Sequence, residues 1–273
     1  MNISLTKRLR KRWVKSVAWL RGFLRTWITL TGHKVFRKPI TDVSIFQRRI
    51  PFIERREYSQ NGEDGIINSI FTMIGTTNKY YVEFGVEDGI ESNTRYLFKH
   101  RGWKGLLMDG SHENDSLNLH KEFITAENIE ELFAKHDVPK ELDLLSIDID
   151  GNDYWVWKAI TNYHPRVVIM EYNAHIDPTI SKTIPYKSDF CWDKTDYYGA
   201  SLLALQKLGQ QKGYVLLGTD CNGVNAFFVQ QELVPGNFDP PNIEKLFHPP
   251  AFKGKKGNGH PADIKNRPWV TIE

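Results

Sequence analysis

The sequence predicts an α/β protein whose sheet is mostly parallel, closes with an antiparallel hairpin near its C-terminal end, and is preceded by a basic amphipathic helix. Three observations carry that expectation. Short apolar runs alternate with helix-like segments from residue 80 to residue 171, the pattern of successive β-α units. Asn222-Gly223 separates two further apolar runs, a strong local hairpin signal. Residues 3–29 place Leu5, Leu9, Trp13, Val17, Leu20, Leu24 and Trp27 on one helical stripe, with Phe23 beside it.

The N-terminal helix is the first element. Lys7, Arg8, Arg10, Lys11, Lys15, Arg21 and Arg25 fall mostly on the face opposite the stripe. Residues 1–42 carry eleven Lys or Arg against the single acid Asp42, a net +10, which leaves 25 against 32, or −7, for the rest of a chain with net charge +3. A basic arm over residues 1–45 is therefore expected, with Trp on its apolar face, suited to an anionic membrane surface. Packing against the rest of the protein or a second subunit is the alternative. Nucleic acid is disfavoured, because a helical stripe of Trp suits a lipid interface better than base stacking. Gly22 and Trp19 weaken the pattern.

Residues 38–56 read as a connecting stretch. Asn61 then reads as an N-cap, with Glu63 and Asp64 in the first turn and Ile66, Ile67, Ile70 and Phe71 on the buried face. Strands are expected at 80–84, 105–108, 122–125, 144–148 and 166–171, with helices from about Ser92, over 129–135 and near Tyr154. A helix over 199–213 leads into strands 214–218 and 224–229. The domain so built spans 55–235, and a loop-rich tail, 236–273, follows, with a Pro/Gly/Lys-rich surface loop at 249–259.

Composition narrows the setting. Cys191 and Cys221 sit in no C-x-x-C or Cys/His zinc spacing, which suits a reducing cytoplasm. Arg21 and Arg25 interrupt the only apolar stretch, so no spanning helix is expected, and its short core, 17–20, makes a secretory signal a poor reading. A cytoplasmic protein that lies against the inner face of the membrane through its arm is the expectation.

The chemistry is concentrated in residues 80–89, YYVEFGVEDG, and 105–111, GLLMDGS. Glu83 ends the first strand and Gly85 follows, where open α/β sheets bind ligands. A dinucleotide fingerprint needs G-x-G-x-x-G to bring backbone N–H groups onto a pyrophosphate. Here Gly85 and Gly89 are four apart, and Glu83, Glu87 and Asp88 crowd the place a pyrophosphate would take, with the wrong sign of charge. S-adenosylmethionine has no phosphate. Its sulfonium and α-amino groups are cationic and its ribose diol can donate to Asp109, so methyl transfer is favoured over nicotinamide-linked hydride transfer.

The chain resembles the FkbM-type family of class I S-adenosylmethionine-dependent methyltransferases from about residue 58 to residue 234. The resemblance lies in YSQNGED (58–64), VEFGVEDGIESNT (82–94), GWKGLLMDGS (102–111), LDLLSIDIDGNDYWVW (142–157), PRVVIMEYN (165–173) and the helix and hairpin of 199–229. It departs after the fourth strand, where the family more often has D-x-E-G and this chain has Asp148, Asp150 and Gly151. The resemblance implies a Rossmann-like sheet and O-methyl transfer to a hydroxyl of a sugar, glycan or glycolipid. A methyltransferase-fold module without catalysis, binding membrane or nucleic acid through its basic arm, is the competing reading.

Site residues follow from these two lines of reasoning. Glu83 and Gly85 would hold the methionine end, Asp109 the ribose diol, and Glu127 or Asn128 the adenine edge. Gln60, Ser92, Asn93 and Asp148 are further cofactor candidates, although capping explains Ser59, Gln60 and Glu63 equally well and is the better account of 92–94. For transfer, Asp148 or Asp150 would position the acceptor, and His175 or one of the acids, Glu171 included, would take its proton. A second reading has Asp150, Glu171 and Asn173 share Mg²⁺, as in catechol-type O-methyltransferases. Against these stand plain structural roles: an Asp-Gly turn capping a helix over 150–153, a loop histidine at 175, and sheet packing for Trp155 and Trp157.

Overall fold

The computed structural model describes residues 43–235, 242–251 and 259–273. The basic helix expected over residues 3–29 lies outside them, as do residues 252–258 of the expected surface loop. The first described element, α1 (Val43–Ile53), stands in the stretch expected to be a connection. Its Phe46 and Ile50 are buried, and the Ile50 side chain lies where a Cβ on Gly218 would be. α2 (Glu63–Ile74) follows with Ile66, Ile67, Ile70 and Phe71 buried as expected.

The α2 N-terminus differs from expectation. The N-cap is Gly62, in the left-handed region, and not Asn61. The loop before it is held instead by Asp64, whose Oδ2 accepts the amides of Glu57, Tyr58 and Ser59, while Ser59 Oγ accepts the Asp64 amide. Capping chemistry thus accounts for Ser59.

Seven strands form one sheet in the order β3-β2-β1-β4-β5-β8-β7. β1 (Tyr80–Phe84), β2 (Lys104–Asp109), β3 (Leu119–Lys121), β4 (Leu144–Ile147) and β5 (Val167–Glu171) are parallel; β8 (Asn225–Gln230) runs antiparallel between β5 and β7 (Tyr214–Thr219). The α/β class, the parallel sheet and the C-terminal hairpin are as the sequence predicts. The third strand is not: it precedes residues 122–125, and Phe123 from that apolar stretch is 54% exposed. Gly223, with positive φ, completes the hairpin turn, where Asp220 accepts the amides of Asn222 and Val224.

Strand alternation divides the core in two. Val82, Phe84, Leu145, Ile147, Val168 and Met170 join the cluster formed with α4 (Ile129–Lys135), α5 (Asp153–Ala159) and α6 (Leu202–Gln211). Trp157 is buried there against Tyr214 and Phe228, the packing role open to it from sequence. Glu83 and Ser146 point the other way, toward α2 and α3 (Arg95–Arg101). At the strands' N-terminal end, fully buried Asp143 accepts from Thr77, Asn78, Lys79 and Arg166, and Arg166 also donates to the carbonyls of Ile74 and Gly75.

Short elements stand in the described parts of the tail. The two-residue strands β6 (Lys182–Thr183) and β9 (Val270–Thr271) pair, α7 (Ile243–Leu246) buries Leu246, and Arg267 donates to Asp193 and Asp263 while lying 4.0 Å from the Tyr197 ring centroid. No helix among the described residues is long and apolar enough to cross a membrane.

Candidate active site

Strand order reverses between β1 and β4: the chain passes from β1 outward to β3, then returns to β4 and leaves on the other side. In open α/β sheets that switch opens a crevice at the strands' C-terminal ends. Glu83, Asp109, Asp148, Asp150 and Glu171 all stand at those ends.

Gly85 shapes the crevice floor. Its φ is +78°, and a Cβ there would lie 1.4 Å from the carbonyl oxygen of Asp148. Its amide bonds Met108 O at 3.0 Å, and the Asp148 amide bonds Phe84 O at 3.3 Å. A glycine is thus demanded by the approach of two strand ends, whatever binds above them.

Asp109 is 8% exposed and sits at the crevice edge. Its Oδ1 accepts from the amides of Ser111 and His112, the Ser111 hydroxyl and the His112 ring; its Oδ2 accepts the Glu87 amide at 2.9 Å. Burial works to raise its pKa, but these donors, the Ser111 amide first, outweigh it and hold the carboxyl below its ordinary value. An ionised carboxylate with one lightly engaged oxygen can accept from a diol. Ser111 and His112, which sequence reasoning did not single out, hold it in that state.

Glu83 is engaged within the protein. Its Oε1 accepts the Asn93 amide at 2.7 Å, and its Oε2 accepts the Thr94 amide at 2.9 Å and the Thr94 hydroxyl at 2.5 Å. The carboxylate secures the start of α3. Asn93 is tied to the sheet as well, its side-chain amide donating to Ser146 Oγ. Ser92 Oγ is buried without a hydrogen-bond partner and remains a polar group for a ligand.

Of the other cofactor candidates, Gln60 is exposed ahead of α2. Asn128 is spent on its own loop, accepting the Thr125 amide and donating to Phe123 O. Glu127 is exposed and accepts the Tyr186 hydroxyl. The loop expected to meet an adenine edge is built by these two side chains, which are engaged within the protein.

The acids after β4 and β5 do converge. One carboxylate oxygen each from Asp148, Asp150 and Glu171 lie within 4.8 Å of one another. Glu171 Oε2 is buried and unpartnered. Burial first, then the neighbouring acids, raises Asp148 and Glu171 well above the carboxylate range. Although Asp150 is exposed as a residue, withdrawal of its carboxyl from water, with Asp153 and Glu87 adding, pushes it up to about 6. Asp150 has φ +56°, a conformation Asp tolerates better than most residues, and Asp153 accepts the amides of Ile149 and Gly151 to close the turn. The helix-capping turn and the acid cluster are the same piece of chain.

Two members of the expected catalytic and metal sets stand apart. Asn173 is fully buried, donates to Asp196 O and Tyr198 O, and accepts the His175 amide. Its amide braces a loop, and Asp148 takes the third place beside Asp150 and Glu171. His175 Nε2 accepts the His260 amide at 3.0 Å, so the ring nitrogen wanted for a general base is engaged with the C-terminal segment. Burial lowers its pKa. What Asn173 braces is Tyr198, 1% exposed, whose hydroxyl is unpartnered and feels the charges of Glu171, Asp148 and Asp150. Nothing in the local sequence marks Tyr198, whose backbone carbonyl is held by the tertiary bond from Asn173.

The crevice therefore suits a cationic ligand with donor groups. The oxygen-rich lining of Asp148, Asp150 and Glu171 offers acceptors to an amine or a diol, as Asp109 does, and brings no positive charge to a pyrophosphate. No family model matches the chain, and no curated protein does. Among solved structures it is similar to an O-methyltransferase family protein from Burkholderia thailandensis, at 10% identity and TM-score 0.38, over 77% of this chain and 70% of that one. It is also similar to a Klebsiella pneumoniae protein provisionally described as an O-methyltransferase, at 11% identity and TM-score 0.32, over 73% of this chain and 92% of that one. At those levels neither protein's activity transfers to this chain.

Proposed function

We propose that this chain is an S-adenosylmethionine-dependent O-methyltransferase acting on a hydroxyl of a sugar, glycan or glycolipid. The observation that carries it is the acid-rich crevice at the sheet's switch point, with ionised Asp109 on one side and the Asp148, Asp150 and Glu171 cluster on the other. S-adenosylmethionine supplies an electrophilic methyl group on sulfur. Asp109 would accept from the ribose diol, Ser92 Oγ would meet a polar group of the methionine end, and the carboxyl oxygens of the cluster would accept from its amine. The methyl group would pass from sulfur to the acceptor oxygen, the C–S electron pair remaining on sulfur. Asp150, at the cluster's exposed edge and with a raised pKa, receives the hydroxyl proton.

The saccharide acceptor rests on the FkbM-type resemblance, and an association with anionic membrane rests on the charge and Trp pattern of residues 3–29. The test of the reaction is transfer of a labelled methyl group from S-adenosylmethionine to a panel of cell-envelope glycans. Label on a sugar hydroxyl is expected, abolished in Asp150→Ala; label on protein or nitrogen acceptors alone would refute the acceptor class. Co-sedimentation with phosphatidylglycerol vesicles tests the arm: the full chain pellets, and loss of Trp13 and Trp27 leaves it in solution. Equal pelleting of both would remove the arm from membrane binding.

A further inference from the structure

We infer that a strip of guanidinium and ring side chains running from the crevice rim along α3, made of Arg55, Tyr58, Arg95, Tyr96, His100 and Arg101, binds phosphate groups of a saccharide ligand. Residues 55–58 and 91–101 carry five Lys or Arg against two acids, a local +3. The body that bears them, residues 43–273, is −7. Cations gathered on an acidic body make a local attraction for anions that the rest of the surface lacks.

Their geometry is ordered. The rings of Tyr58, His100 and Tyr96 follow one another, with centroids 5.7 and 5.2 Å apart, and the Tyr58 hydroxyl lies 3.1 Å from His100 Nε2. Arg95 stands 5.8 Å from the Tyr58 centroid, and Arg55 and Arg101 stand 5.7 and 5.6 Å from that of Tyr96, all within cation–π range. Glu57 is paired with Arg55 and His100, and Glu91 with Arg56. Among the described residues no acid pairs with Arg95 or Arg101. A guanidinium held against a ring keeps N–H donors at its edge, and that planar fork matches an oxyanion. Two such cations without acids suit the double charge of a phosphate monoester.

The strip begins where the crevice does. Arg95 follows Thr94, whose amide and hydroxyl Glu83 accepts, and Arg95 Nη1 donates at 2.6 Å to Gly89 O in the loop after β1. Arg101 ends the same helix, about 9 Å further along its axis. Both Tyr rings are engaged by guanidiniums instead of standing open to a base, which disfavours single-stranded nucleic acid. As part of an acceptor site the strip rests on the methyl-transfer reading: the charged part of a glycan lies along α3 while a hydroxyl enters the crevice. As a phosphate site it stands without that reading.

The experiment follows the fluorescence anisotropy of labelled dextran phosphate titrated with the full chain, beside labelled neutral dextran, a labelled RNA of equal phosphate content and phosphatidylglycerol vesicles. Residues 1–42, at +10, attract polyanions on their own, so a charge-matched control is needed. Arg95→Ser with Arg101→Ser removes two cations from the strip, and Lys158→Ser with Lys245→Ser removes two exposed cations elsewhere. Expected is saturable binding of dextran phosphate and none of neutral dextran, with a loss of about ten-fold or more in the strip variant and under about two-fold in the control. Arg101→Ser alone, on an exposed residue, shows part of that loss and decides the matter if circular dichroism finds the double variant unfolded. Equal losses in the two double variants, or no loss in either, overturn the strip. RNA or vesicles held more tightly than dextran phosphate, with the same dependence on Arg95 and Arg101, overturn the saccharide as its ligand. A strip-dependent loss in a chain that binds no S-adenosylhomocysteine would keep the phosphate site and overturn the methyltransferase reading; nucleoside binding without a strip-dependent loss would do the reverse.

Discussion

Gly85→Ala probes the closest approach in the crevice floor. A Cβ at this position would sit 1.4 Å from Asp148 O and 2.5 Å from Asp148 C, on a residue with φ +78°. The left-handed conformation alone costs a non-glycine residue about 1–2 kcal/mol. The overlap cannot be relieved by a rotamer change, because the obstructing atoms are backbone. The ends of β1 and β4 must part, which stretches the Asp148 amide bond to Phe84 O and the Gly85 amide bond to Met108 O. A buried group left unsatisfied costs about 1–3 kcal/mol, so the total comes to roughly 2–5 kcal/mol. Gly102→Ala is the control: φ is +67°, but nothing lies within 4 Å of its Cβ, so only the conformational term of about 1–2 kcal/mol applies. Urea unfolding of both variants measures the difference. Equal losses in the two would refute the close approach of β1 and β4 that places Asp148 in the crevice.

Two further outcomes follow from the buried acids Asp143 and Asp220. Asp143→Asn breaks the buried pair with Arg166 (2.8 Å) and should cost about 3–5 kcal/mol in urea unfolding. It should leave ligand affinity unchanged, because Asp143 lies at the opposite end of the strands from the crevice. Asp220, at the hairpin turn, is pushed up to about 8, by burial first and then by Glu63. Its folded pKa lies above the unfolded one, so between the ordinary Asp range and about pH 8 the folded state holds the extra proton and stability falls as pH rises, by up to about 1.4 kcal/mol per pH unit. Unfolding free energies at pH 5 and pH 8 should show that slope in the wild type and a flatter one in Asp220→Asn; parallel profiles would contradict it.

The strand ends were readable because a parallel sheet buried on both faces leaves apolar runs that stop where the polar site begins, as Glu83, Asp109, Asp148 and Glu171 do. α1 was missed because Pro51 and four charged residues at 48, 49, 54 and 55 hide a short helix whose burial depends on β7. β3 was misplaced because three residues at a sheet edge carry little pattern, and pairing with β2, not apolarity, selects them. Within the site, the type of an acid said where it stood but not what it held. Glu83 and Asp109 are both acids at strand ends, yet the first is taken up by the amides opening α3 and the second keeps an oxygen toward the crevice. Asn173 is turned away from the acids because its side-chain amide is satisfied by two distant carbonyls, a tertiary event that no local pattern marks.

Calorimetric titration of the full chain with S-adenosylmethionine and S-adenosylhomocysteine, beside Asp109→Ala, tests the central assignment most directly. Expected is saturable binding of both nucleosides to the wild type and its loss, or a weakening of about ten-fold or more, in a variant that still folds, because a charge-assisted bond to the ribose contributes about 1.5–3 kcal/mol. No binding to the wild type, or equal binding to Asp109→Ala, would contradict the crevice as a cofactor site.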